Sequence, residues 1–403
     1  MTKRIVKTAI ALAVASIIVG CGESTSTETG AQFGQQDRVV DNTFNETALL
    51  TSLVDKVIVP TYLEFAQNAL ALQNAIDNYC GALSSQTDAS GDLANAQASW
   101  QTAMTTWQLA EMMQIGPLLE NGSNLRNKIY SWPNVSSCAV DQDVVNAEAQ
   151  DYDIRLRTSS RKGLDALEYT LFNTNLNHSC TAFGTAPDGW NNRPDDARMI
   201  ARCHYSLIAA NDLVENANVL VDAWQGSEGY GEILKNAGQQ LSDFTSALEA
   251  VNDVSDSMFY LTEVTKDAKL ATPVGLFAND CGLSPCVENA ESVYSDHSLQ
   301  NIIANLKAFQ TLFFGGSEAD VGFDDFLVEE GDAETAEKMK QDLAAAISFA
   351  ESLNSSYETL LSEQADQVEA LHENVKTVTD TLKTDFIQSL ALELPATSAG
   401  DND

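Results

Sequence analysis

The residues best suited to chemistry are two carboxylates three positions apart, Asp165 and Glu168, in the segment Gly-Leu-Asp-Ala-Leu-Glu-Tyr. Residues with this spacing lie on one side of a helix, so both side chains would point the same way. Leu164, Leu167 and Leu171 would form an apolar stripe beside them, which predicts partial burial. A buried carboxylate needs a cation, a hydrogen-bond donor or a metal, and its oxygens suit hard cations. The pattern therefore predicts a candidate cation site.

Ordinary ion pairs are the competing interpretation of these two carboxylates. Arg161 precedes Asp165 by four residues, a spacing at which a surface ion pair could form. Glu168 could pair with a buried arginine such as Arg126 or Arg157. A complete cation site would need further donors from other segments.

No complete catalytic motif accompanies these residues. The nearest approach to the zinc protease pattern starts at His372-Glu373, but Lys376 stands where the second histidine ligand would be, which favours a solvated helix face. Neither a Gly-x-Ser-x-Gly turn nor a phosphate-binding glycine loop occurs. The sequence therefore predicts no catalytic residue. The remaining histidines are interpreted as loop or capping residues: His178, His204 and His297.

The cysteines predict disulfides. The chain has seven, and one of them ends the apolar run at the N-terminus. An even set of six in an exported protein is typical of disulfide bonds, although six cysteines allow 15 pairings. Nearness along the chain favours Cys180 with Cys203 and Cys281 with Cys286, which leaves Cys80 for Cys138. A zinc site formed by Cys281, Cys286 and His297 is the alternative.

The first twenty residues have the pattern of an export signal. A basic start is followed by an apolar run over residues 8–19, which is too short to cross a bilayer. The run ends in Ile-Val-Gly-Cys, which resembles the bacterial lipobox. Cys21 is therefore predicted to carry lipid after removal of the signal peptide, residues 1–20.

Lipidation would place the protein at a membrane through its lipid anchor. Residues 21–43 are rich in Ser, Thr, Gly and Gln and predict a flexible tether. Gly22 stands where an aspartate would resemble an inner-membrane retention signal, so it points to the outer membrane. We expect an outer membrane lipoprotein that faces the periplasm or the cell surface.

Composition favours an all-α fold and excludes one class of partner. The 403 residues include 58 acidic and 22 basic side chains, a net charge of −36, so nucleic acid is not expected to bind. Only 8 prolines and 22 glycines occur, and no segment alternates with a period of two, which favours long helices over strands.

Helical periodicity divides the chain into two helical-bundle domains, residues 44–225 and 226–395, before an acidic tail, 396–403. A weak similarity between residues 100–116 and 299–315 favours an internal duplication. A turn is predicted at 126–133, and disulfide-stapled loops at 173–193 and 266–296. The predicted helices are 44–80 with an interruption at Pro60, 93–115, 144–172, 195–224, 233–264, 299–313, 334–361 and 363–392.

Further motifs accompany the segment from Gly163 to Tyr169: Val59-Pro60-x-Tyr62, Trp100, Trp107, Gly116-Pro117, Ile129-Tyr130-Ser131-Trp132-Pro133, Ser298-Leu299-x-Asn301, Asn305-Leu306 and Gly315. Together, these motifs resemble the imelysin-like family. The resemblance implies an exported, all-helical, two-domain protein implicated in bacterial iron uptake, and some members are classed as peptidases. The family signature, Gly-x-His-x-x-Glu, lies near the cleft between the domains; Gly163 and Glu168 match it, whereas Asp165 replaces the histidine.

The favoured hypothesis is a non-enzymatic binding component of iron acquisition, with iron or another hard cation as the implied ligand and iron-uptake proteins as implied partners. Its cleft site would include Asp165 and Glu168, with Gly163, Arg126 and Arg161 as further candidates. A metal-dependent peptidase of the imelysin type is the alternative. A structural lipoprotein whose acidic surface only sets solubility is a third hypothesis.

Overall fold

The structure is a computed structural model that describes residues 43–182, 184–240, 242–395 and 397–398. The predicted signal peptide, the lipid attachment site Cys21 and the tether up to residue 42 lie outside the described residues. So does the predicted acidic tail, apart from residues 397–398.

The described residues form an all-α protein, as predicted. They contain no strand, and one isolated bridge joins Asn279 to Gly282. Within this part of the chain, no helix combines the length and the apolar character needed to cross a bilayer. The helices are α1 Glu46–Ser52, α2 Val59–Ser84, α3 Ser90–Glu111, α4 Glu120–Ile129, α5 Ser137–Asn146, α6 Gly163–Phe172, α7 Asp195–Trp224, α8 Tyr230–Lys235, α9 Ala247–Met258, α10 Thr272–Val274, α11 Ser298–Phe313, α12 Phe323–Glu329, α13 Ala333–Ser352, α14 Tyr357–Glu363, α15 Ala365–Thr381 and α16 Ile387–Leu390.

Three long helices, α2, α3 and α7, form the centre of the first half, and α3 also packs on α11 of the second half. Trp100 and Trp107 of α3 are fully buried, and the Trp100 Nε1–H donates to the Leu164 carbonyl at the start of α6 (2.9 Å). One hydrophobic cluster runs through both halves. The division near residue 225 therefore stays a prediction, because the core is continuous across it.

Pro60 does not interrupt the first helix as predicted. The chain stays helical from Glu46 to Ser84, with a π-helical segment at Leu53–Ile58 between α1 and α2. The Val59 N–H donates to the Val54 carbonyl five residues back, so the π-helical turn lies directly before Pro60, the residue that has no N–H to donate.

Several predicted boundaries were wrong. The single helix at 144–172 is instead α5 and α6, which are separated by 3₁₀ turns at Ile154–Leu156 and Ser159–Arg161 and by the left-handed backbone of Gly163. The predicted turn at 126–133 begins only at Tyr130, after α4. Helix 233–264 is divided into α8, α9 and the start of a π-helical segment, Leu261–Ala271, and α12 was not predicted.

All six cysteines of the described chain are in disulfides, as predicted, but two of the three pairings were wrong. The bonds are Cys80–Cys203, Cys138–Cys180 and Cys281–Cys286. Packing of α2 against α7 brings Cys80 beside Cys203 across a sequence separation of 123 residues. Nearness along the chain is a poor guide when helix packing sets the contacts.

The long-range disulfide gives a first prediction. Replacing Cys80 and Cys203 by serine is expected to lower the free energy of unfolding by about 2–5 kcal/mol, because the bond closes a long loop in the unfolded chain. The Cys281→Ser/Cys286→Ser variant is the control, since its bond closes a separation of only 5 residues. Guanidinium unfolding monitored by circular dichroism measures both. An equal loss in the two variants would contradict the prediction.

Candidate functional site

The two predicted carboxylates line a cavity of about 500 Å³. Most of the lining comes from three segments: α6, residues 130–135 after α4 (the strap), and residues 275–297 before α11 (the disulfide loop). Ser137, Ala268 and Thr272 complete it. The lining includes five carboxylates and three aromatic rings, and none of its described residues is lysine, arginine or histidine. The lining residues are Trp132, Pro133, Val135, Ser137, Asp165, Glu168, Tyr169, Ala268, Thr272, Asp280, Glu288, Asn289, Ala290, Glu291, Val293 and Tyr294.

Gly163 sets the position of α6. Its φ is +78°, and a Cβ added there would lie 2.4 Å from the Ile129 carbonyl oxygen. Only glycine allows the start of α6 to lie this close to the end of α4. Gly163 was predicted as a ligand residue, but the structure places it outside the cavity lining, where it supports the helix that carries both carboxylates.

Asp165 is fixed by the strap. It is 5% exposed, and its Oδ2 accepts hydrogen bonds from the Ser131 N–H (2.7 Å) and the Ser131 hydroxyl (3.2 Å). None of the described residues donates to Oδ1. One oxygen of Asp165 is therefore held by the protein, and the other remains available to a ligand in the cavity.

Glu168 is fixed in the same manner by the disulfide loop. It is also 5% exposed, and its Oε1 accepts from the Tyr294 N–H (3.0 Å), the Ser295 N–H (3.0 Å) and the Ser295 hydroxyl (2.9 Å). Oε2 receives no donor from the described chain. The site thus combines elements from both halves of the sequence.

Sequence reasoning missed these serines. The dipeptide Tyr-Ser occurs three times, at Tyr130-Ser131, Tyr205-Ser206 and Tyr294-Ser295. Ser131 and Ser295 each hold one carboxylate of α6, whereas Ser206 donates to Thr170. The dipeptide is too short to be informative without the fold.

Two buried cations lie near the cavity, and each has its own carboxylate. Arg126 pairs with Glu111 (2.8 Å) and also donates to the Trp132 carbonyl, which anchors the strap. Lys269 Nζ pairs with Glu291 (3.0 Å), both side chains being at most 1% exposed. Asp165 and Glu168 have no ion-pair partner among the described residues. Within the described chain, neither carboxyl group therefore has a cation at ion-pair distance.

The predicted ion pairs of the two carboxylates were wrong. Arg161 and Arg157 both bind Asp143, at 3.0 and 2.6 Å. Because α6 begins at Gly163, Arg161 precedes the helix, so the four-residue spacing to Asp165 has no helical meaning. Arg161 therefore lies apart from the cavity, whereas Arg126 lies behind the strap.

Burial changes the protonation of the pair. Burial raises the pKa of Asp165 to about 7, although the Ser131 donors and the Arg126 charge oppose this rise. Burial likewise raises the pKa of Glu168 to about 8 against the Ser295 and Tyr294 donors, with the Asp165 charge adding to the rise. Near neutral pH the pair therefore holds protons, which a bound cation would replace.

These shifts predict how stability depends on pH. Both folded-state pKa values lie above the ordinary ones of 3.8 and 4.5, so the folded protein binds more protons between pH 4 and 8. The stability they confer is full at low pH and is lost as pH rises through the folded-state values. We expect the ligand-free protein to lose on the order of 6 kcal/mol of unfolding free energy between pH 5 and 8.

The control for this prediction is Asp165→Asn/Glu168→Gln, which removes both titrations at nearly constant shape. Its stability should fall less steeply over the same pH range in urea unfolding experiments. Parallel pH profiles for the two proteins would show that these carboxyls titrate normally.

The donor set constrains what the cavity can hold. Among the described His, Cys, Asp and Glu side chains, one group places three candidate ligand atoms within 4.8 Å: Cys281, Cys286 and Glu288. Its two sulfurs are bonded to each other, so this group offers no thiolate pair. Asp165 and Glu168 are joined by no third such ligand. A cation between them would take its remaining ligands from solvent or from a chelator.

The zinc alternative was wrong. Besides the disulfide, His297 lies apart from the cysteines: its Nε2 is 3.0 Å from the Thr105 hydroxyl, and its ring packs edge-on against Trp100. Burial lowers the pKa of His297 to about 4, so the imidazole is neutral in this packed position.

Comparisons with known proteins agree with this architecture. The sequence model of the peptidase M75 family, described as imelysin, matches residues 58–384. Over 279 residues the chain is 26% identical to Iron-regulated protein A of Synechococcus elongatus; the alignment covers 66% of this chain and only 62% of that protein.

Two solved structures share the fold. One is an imelysin-like protein from Psychrobacter arcticum 273-4, with a TM-score of 0.66 and 18% identity over 87% of this chain and 96% of the other. The second is a proposed iron-regulated protein A precursor from Parabacteroides distasonis ATCC 8503, with a TM-score of 0.66 and 19% identity. This likeness covers 86% of this chain and 94% of the other. Both likenesses confirm the all-α fold.

Proposed function

The chain belongs to the imelysin family, and on that premise we propose that it is an extracytoplasmic binding protein linked to iron acquisition. It holds a hard cation in the cavity at Asp165 and Glu168 without converting it chemically. The link to iron is supported by the similarity to Iron-regulated protein A.

The observation that carries this proposal is the state of the two carboxylates. Each has one oxygen held by serine donors and one oxygen without a donor, and neither has a counter-ion among the described residues. Two such groups in a buried position require protons or a positively charged ligand. Because the donors fix both side chains in advance, a cation would bind without reorganising them.

Binding is favoured over peptide hydrolysis by the composition of the cavity. A catalytic zinc usually has three protein ligands, most often including histidine. The described lining contains no histidine, and no described His, Cys, Asp or Glu side chain forms a three-ligand group with Asp165 and Glu168. A metal-dependent peptidase of the imelysin type is the alternative that the experiment below also tests.

Location and partners follow from the same proposal. Three disulfides favour an oxidising compartment outside the cytoplasm. We propose that lipid on Cys21 anchors the protein to the outer membrane, where iron-uptake proteins are its partners. Replacement of Cys21 by serine should then move the protein from the membrane fraction to the soluble fraction.

The test is calorimetric titration of the mature protein with Ca²⁺, Zn²⁺ and ferric complexes. We expect saturable binding of a hard cation that weakens at least tenfold in Asp165→Asn/Glu168→Gln. Glu334→Gln/Glu337→Gln is the matched control, because these glutamates have the same three-residue spacing on an exposed face of α13. Absence of binding to the wild type would overturn the proposal. Chelator-sensitive cleavage of a peptide substrate, lost in Glu168→Gln, would establish the peptidase instead.

A further inference from the structure

We propose that the cation enters this cavity as a small chelate that is not anionic, with an organic body that packs on the aromatic wall. The metal would exchange coordinated water for oxygens of Asp165 and Glu168, and iron would remain ferric. This inference rests on the proposed function and specifies the form of the ligand.

The described side chains offer few ligands to a cation at Asp165 and Glu168. A hard cation such as Ca²⁺ takes about 6–8 oxygen ligands. The described His, Cys, Asp and Glu side chains provide no group of three around Asp165 and Glu168. The remaining ligands would come from solvent or from a chelator, and a chelator supplies several of them in one molecule, which costs less freedom than ordering separate waters.

The size and the aromatic walls of the cavity suit a small organic molecule. A volume of about 500 Å³ lies within the range of small-molecule sites, roughly 300–1,000 Å³. Trp132, Tyr169 and Tyr294 line it, and the last two pack edge to face with centroids 5.2 Å apart. Tyr169 is held from behind by its hydrogen bond to Asp141 (2.8 Å). Fixed aromatic rings of this kind contact organic surface, which a hydrated ion lacks.

The charge of the cavity lining favours one charge of ligand over another. Besides Asp165 and Glu168, the lining contains Asp280, Glu288 and Glu291, and none of its described residues is lysine or arginine. The two cations behind the walls are already paired. Glu291 is paired with Lys269, whereas Asp280 and Glu288 have no ion-pair partner among the described residues. Asp165 and Glu168 become negative when a metal displaces their protons, so a neutral or cationic chelate is favoured over an anionic one.

The experiment compares three probes on the mature protein at one ionic strength: Ca²⁺ alone, ferric citrate, and the cationic ferric bis-acetohydroxamate complex. We expect the hydroxamate complex to bind at least tenfold more tightly than either other probe. Its visible absorption band should shift as carboxylate replaces water on iron. Asp165→Asn/Glu168→Gln should abolish both the binding and the shift.

A second variant tests the aromatic wall. Tyr294 is 39% exposed at the rim, and its contact with Glu168 is made by its backbone N–H, which Tyr294→Ala retains. This variant should weaken the hydroxamate complex about tenfold and leave any Ca²⁺ binding unchanged.

The outcomes separate this inference from the proposed function. If Ca²⁺ binds as tightly as the hydroxamate complex, or Tyr294→Ala has no effect, the chelate proposal is wrong while cation binding stands. If ferric citrate binds most tightly, the charge argument is wrong. If no probe binds, both proposals fail.

Discussion

Replacing Gly163 by alanine is expected to lower the free energy of unfolding by about 3–5 kcal/mol. The residue has a φ of +78°, which is unfavourable for alanine, and the new Cβ would lie 2.4 Å from the Ile129 carbonyl oxygen and 2.9 Å from the Lys128 carbonyl oxygen. Because both obstacles are backbone atoms, α4 and α6 would have to separate. Guanidinium unfolding measures the loss.

Gly189→Ala is the matched control. Gly189 also has a positive φ, +65°, but an added Cβ would meet no atom within 4 Å. This variant therefore measures only the cost of placing alanine in a left-handed backbone conformation, about 1–2 kcal/mol of unfolding free energy. Equal losses in the two variants would show that the close approach of α6 to α4 is not a constraint, and the explanation given for this glycine would then be wrong.

The second large effect is expected from Glu291→Ala, which leaves Lys269 charged and unpaired in the core. Glu291 also accepts hydrogen bonds from the Tyr130 hydroxyl (2.7 Å) and the Asn301 amide (2.8 Å). Removing one partner of a buried ion pair costs about 3–5 kcal/mol. Tyr130 precedes the serine that holds Asp165, so the variant should also weaken ligand binding.

Two comparisons isolate the cause of that loss. Glu148→Ala breaks a surface ion pair in which the Glu148 side chain is 44% exposed and the Arg193 side chain 30% exposed. This variant should lose less than about 1 kcal/mol of unfolding free energy. Lys269→Met/Glu291→Leu removes both buried charges and should be more stable than Glu291→Ala alone. If the double variant is the less stable one, packing and not charge explains the effect.

The fold class could be predicted because it depends on local periodicity and on the scarcity of strand and turn residues. Helix α7 was predicted with its observed bounds, Asp195–Trp224. The buried face of α3 followed from the spacing of Trp100 and Trp107, which fixes one side of a helix.

The predictions that were wrong or incomplete all concern features that depend on contacts between distant segments or on single residues. The Cys80–Cys203 bond follows from the packing of two long helices, and the break before α6 depends on the left-handed backbone of Gly163. The candidate site itself was predicted only in part. Its carboxylates lie on one short helix, whereas their donors Ser131 and Ser295 are 34 and 127 residues away along the chain.

The central claim is that a hard cation binds at Asp165 and Glu168. Anomalous scattering from crystals grown with ferric bis-acetohydroxamate, recorded at the iron absorption edge, tests it most directly. We predict an iron peak in the cavity, in contact with both carboxylates, and no such peak in Asp165→Asn/Glu168→Gln crystals. Iron found only elsewhere on the protein, or nowhere, would contradict the claim.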